Sequence, residues 1–330
     1  MQMIDSLQAR FLAQLQDFSP SQEYLVGVSG GRDSVALLHL LLQAGYQHLT
    51  LCHLNHALRG EHSDGDELFV KSLAGSLGLA CVAERVDVLA ASQGVSLETA
   101  ARRERYAFFA KTASQTACRV IFLAHHADDQ VETVLFNLFR GSGLKGVCGM
   151  RPVVDLSFSS VILRVVRPLL SVWRSEINSY TASRSLPYRE DASNTSDAHT
   201  RNRLRNQIVP YLEEQLGRNI RHSVWRFAEI LSAELNALPE PEELEQAQQK
   251  ELSVAILRQQ NIAEQRRLIY HWLKNQGVKE VGFELVEMAR QLILPGCRHA
   301  KINLPGNHHL CRRQKRLLIE QPASKSQIAT

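Results

Sequence analysis

Two periodicities alternate along the first two-thirds of the chain. Continuous apolar runs at Tyr24–Val28, Leu49–Leu54, Cys81–Val86 and Val120–Ala124 read as strands. Between them, apolar positions at helical spacing predict helices over roughly 3–17, Ser34 to about Gln43, 62–78 and Leu97–Ala113. Strands apolar on both faces and separated by helices imply an α/β fold: a parallel sheet with helices on both faces. Ligands of such sheets bind beyond the carboxyl ends of the strands, so Ser29 to Ser34, Asn55 with His56, and His125 with His126 should converge there.

Residues 140–170 are rich in glycine and then β-like at Val161–Val166, and 171–184 read as a helix with Trp173 and Ile177 on one face. A polar stretch fills 188–200, and a helix beginning near Arg201 ends around Gly217. Composition then shifts to Arg/Leu helices, an acidic segment (234–251) and short strands at Ala300–Leu304, His308–Cys311 and Arg316–Glu320. The expected division is therefore a catalytic domain over 1–216 and a smaller, mainly helical domain over 217–330 that ends in strands. A chain of 330 residues, 44% hydrophobic and 22% charged, has room for two globular domains. Its net charge of +4 favours an anionic partner without demanding one. The six cysteines are scattered with no Cys-x-x-Cys pair, the start Met-Gln-Met-Ile-Asp is no signal peptide, and no apolar run approaches membrane-spanning length. The expectation is a cytoplasmic protein in a reducing compartment, without a zinc or iron–sulfur site and without a membrane partner.

The chemistry concentrates at two strand ends. Val28 runs into Ser29-Gly30-Gly31-Arg32-Asp33-Ser34 and then a leucine-rich helix. Glycines admit a close anion, serines add hydroxyl donors, and the helix start supplies N–H groups and positive dipole, so the loop reads as a phosphate cradle. It lacks the Gly-Lys-[Ser/Thr] ending of a Walker loop and carries Asp33 instead, and a carboxylate beside polyphosphate implies a divalent cation, Mg²⁺, between them. Arg32 either reaches a phosphate or points to solvent. The second constellation, His125-His126-Ala127-Asp128-Asp129-Gln130-Val131-Glu132-Thr133, follows the strand at 120–124. Asp128 or Asp129 could cap the helix that starts there, and His125 and Asp129 lie about one turn apart. A zinc site is disfavoured because no His-x-x-x-His pair or cysteine ligand is present.

These two elements, with Arg140-Gly-Ser-Gly-Leu144, resemble the PP-loop, or N-type, ATP pyrophosphatases. Arg167-Pro-Leu-Leu170, Glu190-Asp-Ala-Ser-Asn194 and Arg201-Asn-Arg-Leu-Arg-Asn-Gln-Ile-Val-Pro210 narrow the resemblance to the bacterial tRNA(Ile)-lysidine synthetases, over about residues 20–215. The resemblance implies an adenine nucleotide α-hydrolase-like fold and an ATP-dependent ligase. ATP would adenylate the C2 oxygen of the wobble cytidine in a CAU-anticodon tRNA(Ile), releasing pyrophosphate, and the ε-amine of free L-lysine would then displace AMP. It carries Ser29, Gly30, Gly31, Arg32, Asp33 and Ser34 over as nucleotide-binding positions. Asp33 is expected to hold Mg²⁺. His125 and Asp129 are carried over as active-site residues, with Asp129 holding either metal or the lysine amine, and an arginine of 201–205, Arg205 or Arg201, as essential.

Arginine clusters at Arg102, Arg103, Arg105 and at Arg201, Arg203, Arg205, continued by Arg218, Arg221 and Arg226, are the candidates for RNA phosphate contact. The basic run Arg312 to Arg316 could touch tRNA or keep an edge strand soluble. Reading a wobble base requires taking it out of the loop stack, for which Tyr106, Phe108 and Phe109 are candidate surfaces, although helical spacing puts at least two of them in the core. Another PP-loop tRNA-modifying enzyme, such as a thiolase, is the nearest alternative, but thiolases depend on cysteines that this chain does not pair. A homodimer is left open.

Overall fold

The computed structural model describes residues 2–158, 161–190, 200–237, 246–297 and 300–320. The chain divides into two units, Met1–Ala237 and Leu238–Thr330.

The first unit is built on a six-stranded sheet: β1 (Tyr24–Gly27), β2 (Leu49–Asn55), β3 (Ala80–Arg85), β4 (Val120–Phe122), β5 (Val153–Phe158) and β6 (Val161–Val166), in the order β3-β2-β1-β4-β6-β5. The pairs among β3, β2, β1, β4 and β6 are parallel. An all-parallel sheet is corrected in one place: β5 pairs antiparallel with β6. Its residues Val-Val-Asp-Leu-Ser-Phe alternate between exposed and half-buried, as suits an edge strand with one wet face, and this alternation sets it apart from the apolar runs of the centre.

The helices α1 (Gln2–Ala13), α2 (Arg32–Gln43), α3 (Glu61–Leu77), α4 (Val88–Ala91), α5 (Leu97–Thr116), α6 (Ala127–Phe139), α7 (Leu144–Val147) and α8 (Arg174–Ser183) connect and cover the strands. One core joins α1, α2 and α8 to one sheet face through Phe11, Leu37, Leu41, Phe122 and Tyr180. The other face is closed by Tyr106, Phe108 and Phe109 of α5 against Leu25, Ile121 and Leu163. Each such fully buried large side chain contributes about 1.5–3 kcal/mol. All three aromatics of α5 are thus core residues, at 3–4% exposure, and none is a free stacking surface.

After α8, α9 (Thr200–Arg203) passes into a π-helical turn, Leu204–Ile208, and then α10 (Val209–Leu216). The Val209 N–H reaches back five residues to Leu204 O, just before Pro210, which has no N–H to offer. The first unit runs on past 216, because α11 (Ile220–Ala237) places Val224 and Trp225 against Val131, Leu135, Leu204 and Val209, and the Trp225 indole donates to Leu170 O at 3.3 Å. Residues 191–194 of the Glu190–Asn194 stretch lie outside the described residues.

The second unit holds a four-stranded antiparallel sheet of Leu252–Ser253, Lys301–Leu304, His308–Arg313 and Arg316–Glu320, with helices Val254–Gln259, Ile262–Asn275 and Phe283–Gln291. Its core gathers around Trp272, Leu268 and Leu273. Within the basic run, Arg312 donates to Leu292 O and Cys297 O, while Gln314 and Lys315 take positive φ in the hairpin turn. Among the described residues no helix is long and apolar enough to cross a membrane.

Candidate active site

With β2, β1 and β4 side by side, the chain after β1 leaves toward β2 and the chain after β4 leaves the opposite way, toward β6, so a crevice opens at their carboxyl ends. A cleft of about 780 Å³ lies there, a size that suits a nucleotide. Its lining includes Ser29, Asp33, Asn55, Arg105, His125 and Arg174.

The loop after β1 is braced from inside. Gly30 stands at φ 88°, in the left-handed region that favours glycine. The Ser34 hydroxyl donates to Gly31 O at 2.8 Å and accepts the Ser29 N–H at 3.2 Å, while the Gly31 N–H points at Ser29 Oγ, 3.3 Å away. Gly31 is the N-cap of α2 and supplies no side-chain cap, so first-turn N–H groups remain for an anion. Arg32 lines the cleft: it donates to Asn178 at 2.6 Å and Glu190 at 3.0 Å, and lies 4.7 Å over the Tyr188 ring.

Asp33 points toward α6. Its Oδ2 lies 3.6 Å from His126 Nε2, and the same nitrogen is 3.6 Å from Asp129 Oδ2. His126 is buried and forms a cap with Asp129: its backbone N–H donates to Asp129 Oδ2 at 3.0 Å, and the Asp129 nitrogen lies 3.4 Å from its Nδ1, which accepts that N–H only while the ring is neutral. Burial by itself would lower the His126 pKa, but the carboxylates of Asp129, Asp33 and Asp128 outweigh it and hold it at about 9. The charged imidazole thereby offsets carboxylates that would otherwise repel a polyphosphate. Burial also disfavours the Asp129 carboxylate, yet His126, His125 and Arg205 overcome that and lower its pKa. His125 faces the cleft with its Nδ1 buried and unpartnered, and burial, with Arg167 and Arg105 nearby, lowers its pKa to about 3 despite Asp129. It is neutral across the physiological range.

The caps divide the two aspartates. Asp129 caps its own helix, whereas Asp128 Oδ2 accepts the Arg174 N–H at 2.9 Å and so caps α8. Arg205, presented by the π-helical turn, donates from Nη2 to Asp129 at 3.0 Å and from Nε to Glu132 at 2.5 Å. Burial raises the Glu132 pKa against the pull of Arg205; the two carboxylates raise that of Arg205 against its own burial. His126 and Glu132 were part of the motif but not singled out from it. Only the fold shows which histidine of the pair turns toward Asp33.

Of the arginines, Arg105 lines the cleft with Nη2 3.5 Å from His56 Nε2, and Arg102 lies 4.9 Å over the Tyr106 ring. Arg103 pairs with Glu104 and donates to Ala91 O. Arg201 pairs with Glu98 at 3.2 Å, which joins the second cluster to the start of α5, and Arg203 is exposed beside Thr200.

Among the described residues, no group of three or more His, Cys, Asp or Glu side chains is arranged to hold a metal alone. Asp33 Oδ1 is nevertheless buried with no hydrogen-bond partner, a costly state for a carboxylate oxygen unless a cation meets it. Asp33 therefore fits Mg²⁺, which takes one or two carboxylates and completes its shell with phosphates and water, whereas both Asp129 oxygens are engaged by the His126 N–H and Arg205.

Comparison with known proteins agrees with this geometry. The PP-loop domain model matches residues 3–212, and the TilS substrate binding domain model matches 252–318. The chain is 46% identical over 199 residues to the tRNA(Ile)-lysidine synthase of Geobacter sulfurreducens, a match covering 59% of this chain and 41% of that protein. It is 39% identical over 229 residues to that of Dehalococcoides mccartyi, covering 67% and 48%, so it spans less than half the length of these two relatives. With the synthase of Chlorobaculum tepidum it is 34% identical over 266 residues, covering 77% and 78%. In fold it is similar to the U34-tRNA thiolase NcsA of Methanococcus maripaludis, with a TM-score of 0.57 at 18% identity over 72% of this chain and 80% of that one. The loop at Ser29–Ser34, the His126–Asp129 cap that faces it and the matches across both units establish that the chain belongs to the tRNA(Ile)-lysidine synthase family of PP-loop proteins.

Proposed function

We propose that the chain joins free L-lysine to C2 of the wobble cytidine of a CAU-anticodon tRNA(Ile), using ATP and Mg²⁺ and releasing pyrophosphate and AMP. The observation that carries this reading is the approach of Asp33, in the phosphate loop, to the His126–Asp129 pair. The N–H groups of the first turn of α2 grip the leaving pyrophosphate, where negative charge grows as the C2 oxygen attacks the α-phosphate. Mg²⁺ held by Asp33 would neutralise phosphate charge. Arg105, which lines the cleft, is a cation available to phosphate there.

In the second half the ε-amine attacks C2 and AMP leaves. The amine must be neutral, although free lysine has a pKa of about 10.4. The anionic Asp129 draws the ammonium in, its proton passes to solvent, and His125, neutral with its Nδ1 unpaired, accepts a hydrogen bond from the resulting neutral amine; the proton released after attack leaves with the AMP phosphate. The second unit and the exposed arginines Arg102, Arg103 and Arg203 supply tRNA contacts, whereas Arg205 is spent on Asp129 and Glu132.

The test is incubation of the full chain with ATP, Mg²⁺, labelled lysine and CAU-anticodon tRNA. Lysine should appear in RNA in step with AMP and pyrophosphate. ATP turnover with no lysine transfer would overturn the reading.

A further inference from the structure

We propose that Arg189 is a positioning residue that locks the phosphate loop in its anion-binding form, an inference resting on the nucleotide-site reading above. The peptide joining Gly30 to Gly31 is planar and trans, so its carbonyl and its N–H point in opposite directions. The carbonyl accepts the Arg189 N–H at 3.0 Å, and the N–H is turned back into the loop, 3.3 Å from Ser29 Oγ. Rotating that one peptide would break the Gly31–Ser29 contact and turn a carbonyl oxygen, with its negative charge, into the loop beside the free N–H groups of the first turn of α2. Two adjacent glycines offer no Cβ to resist the rotation. The resistance comes from outside the loop.

Arg189 is itself anchored. Its Nε donates to Asp66 Oδ1 at 2.5 Å, and Asp66, with a side chain only 15% exposed, also holds Arg59 at 2.8 Å through its other oxygen. The helix that carries Asp66 is shaped to this contact. Gly65 lies inside α3, where glycine costs about 1 kcal/mol relative to alanine, and a Cβ there would stand 2.9 Å from Arg189 Nη2 and 3.2 Å from its Cζ. On either side of Arg189, Tyr188 underlies the Arg32 guanidinium and Glu190 pairs with it. Residues 188–190 thus hold both neighbours of Gly31, Gly30 through its carbonyl and Arg32 through its side chain.

Calorimetric titration of the full chain with Mg²⁺-pyrophosphate and with Mg²⁺-ATP tests the lock. Arg189→Ala should weaken both about tenfold, as loss of one charge-assisted anchor predicts, with an unchanged thermal midpoint. Arg189→Lys, which keeps a cation for Asp66, should recover most of the affinity. Gly65→Ala should raise the thermal midpoint by helix propensity while weakening pyrophosphate, opposite signs that a purely structural role does not produce. Wild-type pyrophosphate affinity in Arg189→Ala overturns the proposal, as does a loss that vanishes after correction for unfolded protein. If the wild-type chain binds both ligands but transfers no lysine, the ligase reading fails and the titrations still decide the lock; if it binds neither, both fail.

Discussion

The ion pair between Arg205 and Glu132 gives a stability prediction that can be worked from the structure. Glu132 has a side chain only 8% exposed and Arg205 one 21% exposed, and they meet at 2.5 Å while Arg205 also serves Asp129. Arg205→Met removes the cation and leaves a carboxylate in a dry setting. Breaking a buried pair from one side costs about 3–5 kcal/mol. Glu132 can relieve part of this by taking up a proton, since burial already raises its pKa, so a net loss of about 2–4 kcal/mol is expected at neutral pH. Glu132→Gln combined with Arg205→Met should recover at least ~1 kcal/mol of that loss, because no buried charge at 132 then lacks a partner. Urea denaturation followed by tryptophan fluorescence reads the first unit through Trp173 and Trp225, with Trp272→Phe as background to silence the second unit. If Arg205→Met costs the same with and without Glu132, to within about 0.5 kcal/mol, the pair is not coupled and the reasoning fails.

Asp33→Asn should reduce AMP formation at least ~100-fold while tRNA affinity in a filter-binding assay changes little, because the carboxylate serves phosphate and metal and not RNA. Asp128→Ala removes the cap from the Arg174 N–H and should cost about 1 kcal/mol in denaturant titration, with α8 loosening first in hydrogen exchange. The folded His125 pKa of about 3 lies below its unfolded value, so the unfolded state binds more protons under about pH 6.5 and stability falls as pH drops from there toward 3. His125→Asn should therefore flatten the acid limb by up to about 1.4 kcal/mol per pH unit, measured in metal-free buffer at pH 7 and 5.5. An unchanged slope would mean that His125 is solvated. His126 has the opposite sign: with a folded pKa of about 9 its contribution is complete below about pH 6.5 and fades as pH rises toward 9, so His126→Asn should reduce stability more at pH 6 than at pH 9.

What the sequence conveyed, and what it withheld, follows from the range of the interactions involved. The central strands were legible because a strand buried on both faces needs an unbroken apolar run, and the runs at 24–28, 49–54 and 120–124 fall on β1, β2 and β4 to within two residues. β5 escaped notice because an edge strand with one solvated face carries no such run. The division near 216 followed composition, whereas α11 is held to the first unit by Trp225 and Val224, contacts with partners 15 to 94 residues away that no local signal announces. The site shows the same split. Spacing alone puts His125, Asp128 and Asp129 at one strand end but cannot say which side chain turns where. His126 faces Asp33 because it is the N-cap of α6: extended backbone at φ −124°, ψ 179° turns its ring over the first helical turn, where capping by Asp129 fixes it. His125, one residue earlier on the extended chain, is carried to the opposite side and into the cleft. The geometry of one helix start thus separates two adjacent histidines into a buried cation beside the carboxylates and a neutral acceptor facing the substrate. Exchanging their environments would require moving the cap by one residue, so inserting one alanine between Ala124 and His125 should disturb the chemistry less than inserting one between His126 and Ala127, which breaks the cap and lifts His126 away from Asp33. Comparing AMP formation in the two insertions, with circular dichroism confirming that both fold, decides this; equal loss in both would mean that the cap does not set the division of roles.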